Sequence, residues 1–157
     1  MSKPLHILVI EPNQASFAYL RGYCLNWRLH GLPREISLTQ IADLKTFQRY
    51  ADFREFDAVI TNVIFASSLH PSERETPLPN GKLVVEYCLS NNKPVVWLST
   101  FQDSSIAEEQ REWGLQRGVE LIDNIPVTSR VICWKQSSAI SNMWIKALMA
   151  VLAKAAE

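Results

Sequence analysis

Asp57-Ala58-Val59-Ile60-Thr61-Asn62-Val63-Ile64 is apolar along almost its whole length, with a lone carboxamide, Asn62, close to its end. A short run of branched residues without polar alternation reads as a strand covered on both faces, the kind found in parallel sheets. On its N-terminal side, Leu5–Ile10 (LHILVI) is a second such run, ended by Glu11-Pro12-Asn13. On its C-terminal side, Pro94–Ser99 (PVVWLS) is another, and Val119–Ile122 is a shorter one. Glu35–Ile41 places Ile36, Leu38 and Ile41 in a rougher alternation that also suits a strand.

Helical spacing fills the intervals. Asn13 can cap a helix carrying Phe17, Leu20, Cys24 and Trp27, which Gly31 and Pro33 end. Asp43 can cap another with Leu44, Phe47 and Tyr50-Ala51. Gly81 opens a third, with Val84, Tyr87 and Cys88 inward. Ser105–Gly118 is a charged helix with Gly118 as its stop. Ser138–Ala156 carries Ile140, Met143, Trp144, Ala147, Leu148, Val151 and Leu152 on one unbroken stripe. The order βαβαβαβαβα predicts an α/β fold, a doubly wound parallel sheet with helices on both faces. Val131-Ile132-Cys133-Trp134 does not fit this order. It is either the true fifth strand or an extra edge strand near 131–135.

At 157 residues and 17.9 kDa, the chain is expected to be a single domain over 1–157. Sixteen basic residues cancel sixteen acidic ones. That argues against nucleic-acid binding through bulk charge, although a local basic patch stays open. No apolar run approaches the length of a membrane span, and no signal-peptide core follows Met1, so a cytoplasmic protein without a membrane partner is expected. Cys24, Cys88 and Cys133 are too scattered for a disulfide framework or a zinc site and read as buried thiols.

Four local stretches resemble the receiver domain of two-component response regulators. HILVIEPN (6–13) is similar to its first strand and acidic turn, and FDAVITNV (56–63) to the strand ending in the phosphorylated aspartate. PLPNG (77–81) is similar to its proline-to-glycine turn, and KPVVWLST (93–100) to the strand ending in a hydroxyl residue, here Ser99. The resemblance spans roughly residues 5–155. It implies a flavodoxin-like five-stranded sheet of order 2-1-3-4-5 with the site at the ends of strands 1 and 3.

The resemblance also shows what is missing. Asn62 stands where the family has its nucleophilic carboxylate, and a carboxamide oxygen is a poor nucleophile. Glu11 and Pro12 stand where two acidic residues hold Mg²⁺, so one hard oxygen ligand is lost. The family's phosphate-pairing lysine falls on Ile125 if Gly118–Pro126 is the matching stretch, or on Lys135, just before the last helix, if VICWK is the fifth strand. In the first register the aromatic switch position is Ile122. The resemblance therefore implies a degenerate pocket of Glu11, Pro12, Asn62, Ser99, Ile125 and Lys135, with Glu11 a weak metal candidate and no metal or cofactor expected.

Other readings are weaker. His6, His30 and His70 lie in three different elements and form no metal spacing. A Ser99–His6–Asp57 triad lacks a nucleophile elbow. The turn Glu11–Ser16 after the first strand has no glycine and carries a carboxylate, which is unsuited to a phosphate-bearing cofactor. Trp113, Trp134 and Trp144 are candidate interface anchors, Trp144 also belonging to its helix's apolar stripe. The long loop Ser67–Asn80 either overhangs the pocket or is a tolerated insertion. No residues are left over for an output domain. The expected function is therefore that of a stand-alone pseudo-receiver: a non-enzymatic adaptor in two-component or phosphorelay signalling. It would bind a kinase, a regulator or a second copy of itself through the C-terminal face. The alternatives are a flavodoxin-like small-molecule or nucleotide binder or enzyme, and an atypical receiver that still takes Mg²⁺ and phosphoryl groups.

Overall fold

A computed structural model describes residues 3–68, 78–99, 104–123 and 133–156, with 99, 104–107, 123 and 133–142 described as backbone only. The elements alternate without exception: β1 (Leu5–Ile10), α1 (Gln14–Leu25), β2 (Ile36–Ile41), α2 (Leu44–Phe53), β3 (Ala58–Asn62), α3 (Gly81–Ser90), β4 (Val95–Ser99), α4 (Ser104–Leu115), β5 (Leu121–Asp123) and α5 (Cys133–Ala155). All strand pairs are parallel and the order is β2-β1-β3-β4-β5, the order that the resemblance implies.

Two apolar layers sandwich the sheet. Ile7, Val9, Ile60, Val96 and Leu98 point to one face, under α1 and α5. Leu8, Ile10, Val59 and Trp97 point to the other, under α2, α3 and the Trp113 turn of α4. The absence of polar alternation in β1, β3 and β4 has this cause, since both sides of each strand are covered. Cys24 and Cys88 are buried in these layers, and burial pushes both thiols up to about 12.

Two expectations are corrected. The fifth strand is Leu121–Asp123, and Cys133–Lys135 belongs to α5, which starts five residues earlier than the apolar stripe alone suggested. The stretch 131–135 is therefore no edge strand over its helical part; residues 131 and 132 lie outside the described residues. Ser99 pairs with Asp123 in the edge ladder. Trp144 is no interface anchor. It is almost completely enclosed in the α1–α5 layer, because its position on the helix faces the sheet. Gly118, at φ 75°, is the left-handed stop after α4, as its residue type suggested.

Candidate functional site

The ends of β1 and β3 lie side by side, because Ile10 pairs with Thr61 in the parallel ladder. This places Glu11 against Asn62 at the point where the order of the sheet reverses, where open α/β sheets present their ligand crevice. Both are buried, Glu11 at 6% and Asn62 at 4% exposure. Asn62 Nδ2 donates to the Ile10 carbonyl at 3.1 Å and to the Glu11 carboxylate. The other carboxylate oxygen of Glu11 accepts from the Asn13 backbone N–H at 2.9 Å. The Glu11 backbone is held as well. Its N–H donates to the Ile41 carbonyl at 2.9 Å, and its carbonyl accepts from Gln40 Nε2 at 2.8 Å.

Burial raises the pKa of Glu11, with the hydrogen bonds from Asn13 and Asn62 opposing the rise. A carboxyl raised in the fold contributes stability that is fully present below its unfolded value and is lost as pH rises through the folded value. Replacing Glu11 by glutamine removes that titration. The stability of Glu11→Gln relative to the parent is therefore expected to increase as pH rises above 4.5, read as the difference between two denaturation series. A gap that stays constant with pH would contradict a carboxylate buried as described.

Two of the first-turn donors of α1 are in use. Asn13 Oδ1 accepts from the Ala15 and Ser16 N–H groups at 2.9 and 3.1 Å, and the Asn13 carbonyl accepts from Phe17. Pro12 has no N–H to offer. Asn62 Oδ1 stands apart: it is buried without a hydrogen-bond partner among the described residues.

Around this pair the next loop is closely held. The Gly81 N–H donates to the Val63 carbonyl at 2.9 Å, so α3 starts directly against the end of β3. Phe65 and Leu78 form an antiparallel bridge. Buried Asn80 donates from Nδ2 to the Phe65 carbonyl at 2.8 Å and to Ser67 Oγ at 3.2 Å. The Leu44 and Lys45 N–H groups, orphan donors of α2, bind the carbonyls of Ala66 and Ser67. The expected loop Ser67–Asn80 is thus anchored at both ends, and 69–77 lie outside the described residues.

Glu11, Pro12, Asn62 and the backbone of Ser99 come together at this edge of the sheet. Ile125 lies outside the described residues. Lys135 lies within the first turn of α5, not before the helix. Ile122 is half-buried in β5 and packs toward the α1–α5 layer. The imagined triad is excluded by topology: His6 is near the start of β1, where its backbone N–H donates to Asp57 Oδ2 at 2.8 Å, and Ser99 closes β4 at the opposite edge. Gln40, Asn80 and Gly81 complete the site; the Pro-to-Gly turn before α3 contains Asn80 and Gly81, and nothing in the sequence pointed to Gln40.

The donor set does not fit Mg²⁺. One carboxylate is present, and both its oxygens already accept hydrogen bonds. Pro12 supplies no side-chain oxygen, and no group of three potential metal ligands occurs among the described residues.

No protein-family model matches the sequence, and no curated relative does. Solved structures do. The chemotaxis response regulator CheY4 of Vibrio cholerae superposes with a TM-score of 0.55 at 13% identity, over 95% of this chain and 99% of that one. The signal receiver domain of a putative LuxO repressor protein from Vibrio parahaemolyticus does so with a TM-score of 0.52 at 9% identity, over 96% and 98%. At these identities the likeness establishes the fold: this chain has the receiver architecture over nearly its whole length.

Proposed function

We propose that this receiver-fold chain is a pseudo-receiver, a single signalling domain over 1–157 that works by protein–protein contact without aspartyl phosphorylation. The observation that carries the reading is Asn62. It occupies the strand end where the receiver pattern has its nucleophile, and its amide is tied to Glu11 and the Ile10 carbonyl. A neutral carboxamide held this way gives no anionic oxygen to attack a phosphoryl group. The contact between Asn62 and Glu11 also takes up the carboxylate that a metal would need. What is left is a shape fixed by hydrogen bonds rather than switched by charge.

The output would then be a binding surface for a kinase, a regulator or a second copy of the chain. Trp113 is the anchor we favour on the α4–β5–α5 side. Its ring is half-buried against Trp97, 5.4 Å between centroids, with Arg117 at 4.1 Å and Lys82 at 5.4 Å over it. Trp134 lies in α5 and belongs to the same proposal. The reading as a nucleotide or flavin binder is disfavoured by the Ala15 and Ser16 N–H groups being bound by Asn13 and by the Glu11 carboxylate beside the turn. No helix among the described residues is long and apolar enough to cross a membrane.

The test is incubation of the purified chain with a small-molecule phosphodonor and Mg²⁺. No hydroxylamine-labile phosphate is expected, while a receiver with an intact pocket in the same assay takes it up. Stoichiometric labile phosphate on this chain would overturn the proposal.

A further inference from the structure

The sixteen acidic and sixteen basic residues are unevenly placed. No Asp or Glu occurs from Pro12 to Arg34, which holds Arg21, Arg28 and Arg34. None occurs from Asn124 to Ala156 either, which holds Arg130, Lys135, Lys146 and Lys154. α1 and α5 come from these two stretches and pack on the same face of the sheet. One whole face is therefore built from helices without an acidic side chain. The helices of the opposite face carry Asp52, Glu86, Glu108, Glu109 and Glu112. The zero net charge hides this division.

The acid-free face also exposes apolar side chains. Leu25 is 70% and Leu29 82% exposed, and Tyr19 and Met149 are partly exposed. Arg21, Arg28 and Lys146 stand exposed on the same two segments. Single exposed leucines are ordinary on a soluble domain. Two of them four residues apart, both largely in water and flanked by arginines on a face without acids, call for a partner that is apolar and anionic at once.

We infer that the α1–α5 face docks on a bilayer surface containing anionic lipid. Leu25 and Leu29 enter the boundary between headgroups and acyl chains, and Arg21, Arg28 and Lys146 meet the lipid phosphates. A nucleic-acid backbone would use the cations and leave both leucines in water, so the combination favours lipid. Leu25 ends α1 and Leu29 lies in the turn that follows, both remote from Glu11 at the other end of the helix, so docking there leaves the Glu11–Asn62 edge free. The inference does not depend on the reading of Asn62.

The test is co-sedimentation of the full chain with vesicles of equal phosphatidylglycerol and phosphatidylcholine, and with vesicles of phosphatidylcholine alone. Binding to the anionic vesicles only, weakened by salt, is expected. Leu25→Ser with Leu29→Ser, and separately Arg21→Glu with Arg28→Glu, are each expected to lower the partition about tenfold or more. All four positions are exposed, so both variants are expected to melt like the parent. Absence of binding to anionic vesicles would overturn the inference. So would equal binding to neutral vesicles, undiminished binding of the leucine variant, or binding to duplex DNA without binding to vesicles.

Discussion

Replacing Asn62 by aspartate, the residue that the receiver pattern has at this position, is expected to destabilise the protein. The loss expected at pH 7 is about 3 kcal/mol, or roughly 6–12 °C in melting temperature. Two losses combine. Asn62 Nδ2 is the donor to both the Ile10 carbonyl and the Glu11 carboxylate, and an ionised aspartate has no hydrogen to give either of them. The substitution also brings a second carboxylate against Glu11, whose pKa burial has already raised. The pair would then share a proton and titrate jointly. The deficit is accordingly expected to shrink as pH falls from 7 toward 4.5. Chemical denaturation at several pH values checks this. An Asn62→Asp variant as stable as the parent at pH 7 would contradict the described contact.

The second large effect belongs to Gly81. A Cβ on this residue would lie 2.5 Å from the Asn62 carbonyl oxygen, 2.8 Å from Val63 Cα and 3.0 Å from the Val63 carbonyl oxygen. All three are backbone atoms, so no side chain can rotate away. α3 would have to move off the end of β3, or β3 off its partners. Gly81→Ala is expected to cost about 3 kcal/mol. It is also expected to shift the amide resonances of Asn62 and Val63. Gly22 is the control. It sits within α1, nothing lies within 4 Å of its Cβ position, and Gly22→Ala should be neutral or stabilise by about 0.5–1 kcal/mol. Equal effects at the two glycines would show that α3 does not seat on β3 as described.

Much of this architecture is legible in the sequence, for a physical reason. In β1, β3 and β4 the apolar residues run without alternation, a pattern that a two-sided burial demands and an exposed sheet forbids. Asn13 and Asp43 marked the starts of α1 and α2, and both side chains do accept backbone N–H groups there. The last strand was harder. Leu121–Asp123 is only three residues long, and Val131–Trp134 has the greater strand propensity. Its second half is nevertheless helical, since Cys133 and Trp134 begin the continuous helix that carries Trp144 and Leu148.

The site was legible in residue type but not in contact. The sequence places Asn62 and Glu11 at two strand ends 51 positions apart, and it is the parallel pairing of Ile10 with Thr61 that turns them into a hydrogen-bonded pair. Gln40, which binds the Glu11 carbonyl, comes from a third strand and gave no signal. Asn80, whose amide fixes the loop beyond β3, was marked only as a member of the PLPNG turn and not by its contacts. Such residues act through backbone groups, and a backbone carbonyl leaves no mark in the sequence.

The loss of the phosphorylation pocket is tested most directly by titrating the isotope-labelled chain with Mg²⁺ and then beryllofluoride, a phosphoryl mimic, followed by amide shifts. Fluorescence of Trp97, buried in β4 two residues before Ser99, is recorded in parallel. No saturable change is expected at Glu11, Asn62 or Ser99 up to millimolar concentrations, because the carboxylate is already bound and Asn62 offers no anionic oxygen. Saturable shifts confined to these residues would contradict that loss and would mean that the pocket still takes a metal and a phosphoryl group.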